Sequence, residues 1–280
     1  MTKNILLTIA YDGSAFHGWQ KQPGEVTVQG HLERTMSRLF RREISLSGTS
    51  RTDAGVHALD QKAEFVTDID IPVDKLPLIL NNALCGEERG AFAKAPVRIL
   101  DAREMPAEFH ARFSCSGKKY IYKIKGGCGS NGDTGSRQTG LSLIFDRNYA
   151  YHVNEPLDVE AMNAAAGYLI GTHDFKSFEA SGGNPRETTV REIFEAKVIS
   201  SCNAGAAEEP GGMQEIEIHV SGDGFLYHMV RIITGTLVET GRRKRGPEEM
   251  KTIVEAADRR RSAGHTAPPY GLYLAEVYYE

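Results

Sequence analysis

The stretch Gly48-Thr-Ser-Arg-Thr-Asp-Ala-Gly-Val-His57 joins two strand-like segments of this 280-residue chain and is dense in polar side chains. Its aspartate, Asp53, is open to two interpretations. In the first, the carboxylate closes an Asx-turn by accepting a hydrogen bond from a nearby backbone N–H. In the second, Asp53 is a cleft carboxylate that acts as a nucleophile or base, and a cation beyond nearby Arg51 would hold it ionised.

The segments on both sides of this loop alternate between strands and helices. Val28, Leu32 and Met36 recur at the spacing of an amphipathic helix, for example. The predicted elements of this first part are, in chain order, a strand at 4–10, a helix at 28–40, a strand at 62–66, a helix at 76–84 and a strand at 97–103. We therefore predict a first α+β half over residues 1–106, which carries the Asp53 loop.

Residues 107–280 repeat this alternation and are predicted to form a second α+β half, with a cleft between the two. Tyr120 and Tyr122 alternate with lysines, which is the period of a strand with a largely cationic second face. The predicted elements here are a strand at 119–125, a helix at 158–169, a strand at 215–220, helices at 226–237 and 247–257, and a strand at 272–279.

The charge of the chain is mildly acidic, with 33 Lys and Arg against 37 Asp and Glu, which argues against a generic polyanion binder. Fifteen of the cations nevertheless fall in four short runs. These runs are Arg112–Lys125, Arg242–Arg245, Arg259–Arg261 and Arg38–Arg42. Charge runs are usually solvated faces, but cations interleaved with Tyr120 and Tyr122 are typical of a nucleic-acid surface. Trp19, in a similar loop, either contacts nucleic acid or anchors its loop on the core.

Arg231 lies inside an apolar helical segment, where an unpaired buried charge is costly. It either extends to solvent or pairs with a cleft carboxylate such as Asp53. The four cysteines and nine histidines show no zinc-site spacing, and no phosphate-binding glycine loop is present, so we predict neither a metal nor a cofactor. With no signal peptide and no membrane-length apolar run, we expect a soluble cytoplasmic protein.

Six blocks of the sequence, taken in order, carry a resemblance. They are Tyr11–Gln20, Arg51–Ala58, Phe109–Ser114 with Tyr120-x-Tyr122, His173–Phe178, Gly224–Arg231 and Thr266–Leu274. Together they resemble the bacterial tRNA pseudouridine synthase A family. The resemblance implies two similar halves whose sheets join into one long antiparallel sheet flanked by helices. It further implies a homodimeric isomerase, free of cofactors and metals, that converts uridine to pseudouridine at positions 38–40 of the tRNA anticodon stem-loop.

By this resemblance, Asp53 matches the catalytic aspartate, Tyr120 the tyrosine that stacks on the target base, and Arg231 the arginine that pairs with the carboxylate. Further residues expected to bind the substrate RNA are Arg51, His57, Trp19, His110, Arg112, Lys118, Lys119 and Leu272. The sequence departs from the family pattern near the site. The departures are Ser50 in place of glycine, Asp60 and Lys62 around Gln61, and the segment Leu84-Cys-Gly.

Two other functions are consistent with parts of the sequence. One is a non-catalytic RNA-binding module, which the intact set of Asp53, Tyr120 and Arg231 disfavours. The other is a carboxylate-dependent hydrolase that uses Asp53. Such enzymes usually need a second positioned carboxylate or a metal, and Glu64 on the following strand is not marked as that partner.

Overall fold

A computed structural model describes residues 2–85, 95–127, 141, 143–183, 187–200, 213–258 and 263–279. Several features named in the sequence analysis lie outside the described residues. They are the cationic run Arg259–Arg261, Cys128, Cys202 and most of the loops expected at 126–140 and 200–213. The chain divides into two compact units. Unit 1 comprises Met1–Ser116 and Tyr273–Glu280, and unit 2 comprises Gly117–Leu272. The division at residue 106 into two similar halves stays a prediction.

Strands and helices follow one another through both units. Those that begin in unit 1 are β1 (Lys3–Tyr11), α1 (Val28–Phe40), β2 (Ser47–Gly48), β3 (His57–Thr67), α2 (Leu76–Leu84), β4 (Val97–Met105) and β5 (Cys115–Gly127). The later ones are β6 (Tyr151–Val153), α3 (Val159–Gly167), β7 (Gly171–Asp174), β8 (Val190–Ser200), β9 (Met213–Gly222), α4 (Met229–Gly241), α5 (Glu249–Ala256) and β10 (Leu272–Tyr279).

Unit 1 is built on β1, which pairs antiparallel with β3 on one side and β4 on the other. Its alternating residues Ile5, Leu7 and Ile9 are almost completely buried, as the strand pattern predicts. Helix α1 begins where the Thr27 side chain accepts a hydrogen bond from the Gly30 N–H, and it buries the predicted apolar face. β10 returns to this unit and pairs in parallel with β3, with Tyr273 opposite His57.

Unit 2 is an antiparallel run of β5, β9, β8 and β7, with the short β6 parallel to β5. The Asp158 side chain caps α3 as predicted, by accepting from the Ala161 N–H. Helix α4 begins at Met229 rather than at 226, because His228 adopts a left-handed backbone conformation (φ 58°) just before it. β8 has no counterpart among the predicted elements, because a register shift between Ile193 and Glu195 interrupts its alternation.

The predicted fold class is confirmed, since the ten strands within the described residues form a mixed, open sheet flanked by helices. The sheet is mixed rather than wholly antiparallel because β10 pairs in parallel with β3 and β6 pairs in parallel with β5. The cleft expected between the halves stays a prediction. Within the described ranges, none of the helices combines the length and apolar character that a bilayer span requires.

Candidate active site

The Asp53 loop connects β2 to β3, and its backbone is tied to unit 1 on both sides of the aspartate. The Thr49 N–H donates to the Lys62 carbonyl (2.9 Å) and the Trp19 N–H donates to the Thr52 carbonyl (3.1 Å). The Val56 N–H closes the turn by donating to the Asp53 carbonyl (3.1 Å), so a main-chain bond spans the turn. The loop conformation is therefore set by backbone bonds within the protein itself.

Buried side chains also bind the Asp53 loop from the interior of the protein. Gln61 is 0% exposed; its Nε2 donates to the Ser50 carbonyl (2.8 Å) and its Oε1 accepts from the Ser50 N–H (3.3 Å). The Thr52 hydroxyl is hydrogen-bonded to the Tyr11 hydroxyl at 2.7 Å. Because a buried amide bonded on both sides strongly favours one geometry, these contacts leave the loop little freedom.

The departures from the family pattern fit into this framework. The Lys62 Nζ lies 2.6 Å from the Asp60 Oδ1, and the second Asp60 oxygen accepts from the Val277 N–H at 2.9 Å. These two residues therefore compensate each other's charge and fasten β10 to β3. The Ser50 hydroxyl, by contrast, is buried without a hydrogen-bond partner in the described structure.

Ser50→Ala is expected to raise the free energy of unfolding by about 1 kcal/mol, because it removes an unsatisfied buried hydroxyl. Urea denaturation of the whole chain measures this. Ser177→Ala is the matched comparison, since the Ser177 hydroxyl donates to the Ile253 carbonyl (2.7 Å) and its loss should destabilise the protein. A Ser50→Ala protein less stable than the parent would contradict the expectation.

The loop presents a limited set of side chains to the outside. Arg51 and Ala54 are exposed and Asp53 is half-buried, whereas Thr52 and Val56 are buried. Two predicted site residues, Arg51 and Asp53, thus lie together on the accessible side of a fixed turn. This arrangement suits a carboxylate that must meet a substrate in a defined position.

Trp19 and His57 are buried among the residues that hold the Asp53 loop, and they are not exposed on its accessible side. Trp19 is 2% exposed, and a Cβ on Gly48 would lie 2.3 Å from its Nε1, so the indole anchors the loop. His57 is also 2% exposed; its Nδ1 accepts from the Gly13 N–H (3.1 Å) and its ring stacks on Tyr273. Their burial leaves these two side chains almost no surface in this structure, and the expectation that they contact RNA stays a prediction.

His110 and Arg112 lie in the loop between β4 and β5, also in unit 1. The Arg112 N–H donates to His110 Nδ1 (3.1 Å), and the exposed Arg112 guanidinium lies 5.7 Å from the ring centre of Phe113. Phe113 is largely exposed. An exposed cation beside an exposed aromatic ring is what a single-stranded or unstacked nucleotide requires, so this loop fits the predicted role.

Unit 2 carries the predicted tyrosine on β5. Tyr120 is half-buried and meets Phe225 edge-on, with ring centres 5.1 Å apart. Tyr122, two residues later, is 0% exposed, and its hydroxyl donates to the Pro268 carbonyl at 2.6 Å. Burial raises the pKa of Tyr122 well above its ordinary value, so this phenol keeps its proton. Of the two tyrosines, only Tyr120 has surface on which a base could stack.

Arg231, the third residue of α4, is fixed by the segment that precedes β10. Its Nε donates to the Ala267 carbonyl (2.8 Å), and the Ala267 N–H donates back to the Arg231 carbonyl (3.0 Å). Gly235 makes this close packing feasible, because a Cβ there would lie 1.8 Å from the His265 carbonyl oxygen. Arg231 is half-buried, and the reciprocal bonds fix the direction of its guanidinium.

Three further predicted residues also lie in unit 2. Leu272 is buried and follows Gly271, whose close approach to Tyr122 leaves no room for a Cβ (2.7 Å to Tyr122 Cε1). Lys118 and Lys119 are half-buried on β5, and the Lys119 Nζ lies 3.5 Å from Glu195. Leu272 thus directly follows the Gly271 contact with Tyr122 in the chain, and the role that its family motif implies stays a prediction.

The cationic face predicted on β5 is largely compensated by acids on neighbouring strands. Lys123 lies 3.8 Å from Glu217, and Lys125 lies 2.7 Å from Asp146 and 3.1 Å from Glu215. The second run is similar. Its ion pairs are Arg242–Glu155 at 2.7 Å, Arg243–Asp158 at 3.2 Å and Arg245–Glu239 at 2.6 Å. Most cations of these two runs are therefore engaged in ion pairs within the protein, and their contact with RNA phosphates stays a prediction.

Helix α1 and the residue after it carry a cationic surface that, unlike these two runs, is not compensated by acids in the described ranges. Arg34, Arg38 and Arg41 are exposed, and none has a carboxylate within 4.0 Å among the residues that the structure describes. Arg42, next to them, instead pairs with Asp68. Arg34 was not among the predicted cationic runs because it is followed by uncharged residues. The i, i+4 spacing of Arg34 and Arg38 is the signal that could have identified it.

No group of three or more metal-ligating side chains occurs in the described part of the chain. Glu64 is buried; its Oε2 accepts from the Asn4 Nδ2 (3.4 Å), and its Oε1 lies 3.5 Å from His110 Nδ1. Glu64 therefore serves as a structural contact and is poorly placed to activate water for a hydrolase.

Comparisons with known proteins identify the family of this chain. A family model described as tRNA pseudouridine synthase matches residues 7–114 and 165–280. The chain is 42% identical over its full length to all of "tRNA pseudouridine synthase A 2" of Clostridium tetani. It is 41% identical to "tRNA pseudouridine synthase A" of Caldicellulosiruptor bescii over 99% of this chain and 100% of that protein. The chain therefore belongs to the tRNA pseudouridine synthase A family, a family of isomerases.

Proposed function

We propose that this protein isomerises uridine to pseudouridine at positions 38–40 of the tRNA anticodon stem-loop. Family membership supports tRNA uridine as the substrate. The observation that carries the proposal is the Asp53 loop, which is fastened by backbone and buried side-chain bonds and exposes little besides Arg51, Asp53 and Ala54. Such a fixed carboxylate is what attack on, or stabilisation of, a sugar carbon requires.

The reaction itself needs only groups that this chain supplies. The target nucleotide must first leave its stack, at a cost of a few kcal/mol. The bond between C1′ and N1 then breaks, the uracil turns, and C1′ bonds to C5. The C5 proton is lost and N1 gains one, so the product is an isomer and no oxidant or cofactor is consumed. Asp53 acts at the sugar, either as a nucleophile at C1′ or by stabilising or deprotonating it.

Tyr120 and Arg231 take the roles that the resemblance gives them. Tyr120 is the member of the Tyr-x-Tyr pair with accessible ring surface, which suits retention of the detached uracil by stacking. Arg231 pairs with the Asp53 carboxylate in this proposal, as the resemblance implies, and its bonds to Ala267 hold it in a defined place within unit 2. The direct test is to incubate the purified protein with unmodified tRNA transcripts and to map every pseudouridine formed.

The RNA is proposed to extend from the Asp53 loop onto α1. The first turn of this helix is bonded to the Trp19 loop, with the Val28 N–H donating to the Gly18 carbonyl (3.1 Å). Arg34, Arg38 and Arg41 lie further along, spanning about 10 Å at 1.5 Å per residue. Because these exposed arginines lack a carboxylate partner among the described residues, they are the part of unit 1 best suited to RNA phosphates.

Replacing Arg34, Arg38 and Arg41 together with alanine is expected to weaken tRNA binding and to lower the slope of log affinity against log salt by about 3, since each lost phosphate contact removes roughly one unit. Fluorescence anisotropy at several salt concentrations measures this slope. The control is the triple alanine variant of Arg242, Arg243 and Arg245, whose side chains are ion-paired within the protein. Equal slopes for the two triple variants would contradict the assignment.

A homodimer in the cytoplasm is the assembly and location that the resemblance supports. We propose both for this chain. Sedimentation equilibrium, read against the 30.8 kDa mass of one chain, tests the assembly. A species at the mass of a single chain under assay conditions would exclude the dimer.

A further inference from the structure

A buried polar cluster joins three segments of unit 1 that are far apart in sequence. The Tyr279 hydroxyl oxygen lies 2.7 Å from the Thr49 Oγ1 and 2.8 Å from the Ala111 carbonyl oxygen. The Thr49 Oγ1 lies 2.9 Å from the same carbonyl oxygen. Thr49 and Ala111 are almost completely buried. We call these three residues the Tyr279 cluster.

The two hydroxyls of the Tyr279 cluster have two protons for three short contacts. When one hydroxyl donates to the other, the second donates to the Ala111 carbonyl. Either direction of this short chain ends on Ala111, and each bond polarises the next. Burial raises the pKa of Tyr279 far above its ordinary value, so the phenol retains its proton at neutral pH.

The Tyr279 cluster connects two loops of the proposed site. Thr49 lies four residues before Asp53, at the start of the Asp53 loop. Ala111 lies between His110 and Arg112 in the loop that exposes Phe113. The ring of Tyr279 also meets Phe109 edge-on at 5.1 Å. One phenol near the end of the chain therefore bonds to the loop of the catalytic carboxylate and to a loop suited to RNA.

We propose that Tyr279 is a positioning residue, whose hydroxyl fixes the spacing between the Asp53 loop and the 109–114 loop and thereby places bound RNA against Asp53. This inference rests on the proposed function. A displacement of reacting groups by about 1 Å can cost 10²-fold in rate, so a shift of one loop against the other is expected to reach turnover.

Tyr279→Phe tests the hydroxyl alone, because the ring and its contact with Phe109 are retained. We expect kcat on a tRNA transcript to fall about 10-fold, with affinity for the tRNA changed less than about 3-fold. Thr49→Val should have a similar effect, and the double variant should be no worse than the more severe single variant, because both remove the same cluster. Amide hydrogen exchange in 49–53 and 109–114 should be faster in all three, measured without RNA.

Thr67→Val is the matched control. The Thr67 hydroxyl is also buried in unit 1 and accepts from the Ile69 N–H (3.2 Å), but it lies at the far end of β3 from His57. This variant should lose stability without a change in kcat or in exchange of the two loops. Wild-type kcat and exchange in Tyr279→Phe, or a loss matched by Thr67→Val at equal stability, would overturn the proposal. Should the parent protein form no pseudouridine, the proposed function fails, and the exchange data alone decide whether Tyr279 fixes the loops.

Discussion

Asp53→Asn is expected to lower pseudouridine formation by about 10³-fold or more while the affinity for tRNA stays within about 3-fold of the parent protein. The substitution keeps the size of the side chain but removes its charge, so attack on or stabilisation of the sugar carbon is lost. The Asp53 loop is held by the Thr49, Ser50 and Thr52 contacts, none of which needs the Asp53 carboxylate. The loop should therefore keep its shape in the variant.

Single-turnover assays with enzyme in excess over a tRNA transcript separate this chemical effect from binding. Asp68→Asn serves as the control, because Asp68 is an exposed carboxylate of the same unit that pairs with Arg42. Its turnover should match the parent. If Asp53→Asn retained a tenth of the parent rate, Asp53 would not be the catalytic carboxylate. That result alone would not establish the alternative function of a non-catalytic RNA-binding module, which would still require binding data.

Arg231→Met is the second substitution expected to be severe, with a loss of about 10²-fold or more in kcat/KM. Removing one partner of a hydrogen-bonded charge pair costs about 2–5 kcal/mol, which corresponds to that range. Methionine fills much of the volume but carries neither the charge nor the Nε–H that binds the Ala267 carbonyl. Both the pairing proposed with Asp53 and the Nε–H bond to the Ala267 carbonyl are then lost, while the main-chain bond from the Ala267 N–H to the residue 231 carbonyl is retained.

Arg231→Lys separates the contribution of the positive charge from that of the planar guanidinium. It keeps the charge and loses the planar fork, so an intermediate loss of about 10-fold is expected. Arg242→Met is the control, since Arg242 pairs with Glu155 outside the proposed site. Turnover of Arg231→Met close to that of the control would mean that Arg231 has only a structural role.

Much of the fold follows from local sequence patterns. Helix α2 occupies the predicted span, and α1 and β1 bury the faces that their periodicity indicates, because each pattern matches one element's own period. β8 escaped prediction because a bulge shifts its alternation midway, and the parallel pairing of β10 with β3 escaped because it joins residues more than 200 positions apart.

The site residues, like the elements of the fold, were predicted where a local pattern decides their environment and missed where a distant partner does. Asp53, Arg51 and Tyr120 were identified from sequence and have accessible surface in the structure. Trp19 was ambiguous, and its burial depends on Gly48, a residue distant in sequence that leaves room for the indole. The lysines of β5 looked like a free cationic face because their partners, such as Glu215 and Glu217, are set by the register of β5 with β9. Cross-strand and inter-segment partners of this kind, including those of Tyr279, are not visible in a local pattern.

The decisive measurement of uridine isomerisation at positions 38–40 gives the parent protein stem-loop transcripts in which only one of these three positions carries uridine. Pseudouridine is then mapped chemically over a time course. Product is expected at the single uridine offered, formed without any added metal or cofactor, and almost none with Asp53→Asn. Binding of these transcripts with no pseudouridine formed, or product only at uridines elsewhere in full-length tRNA, would contradict this expectation.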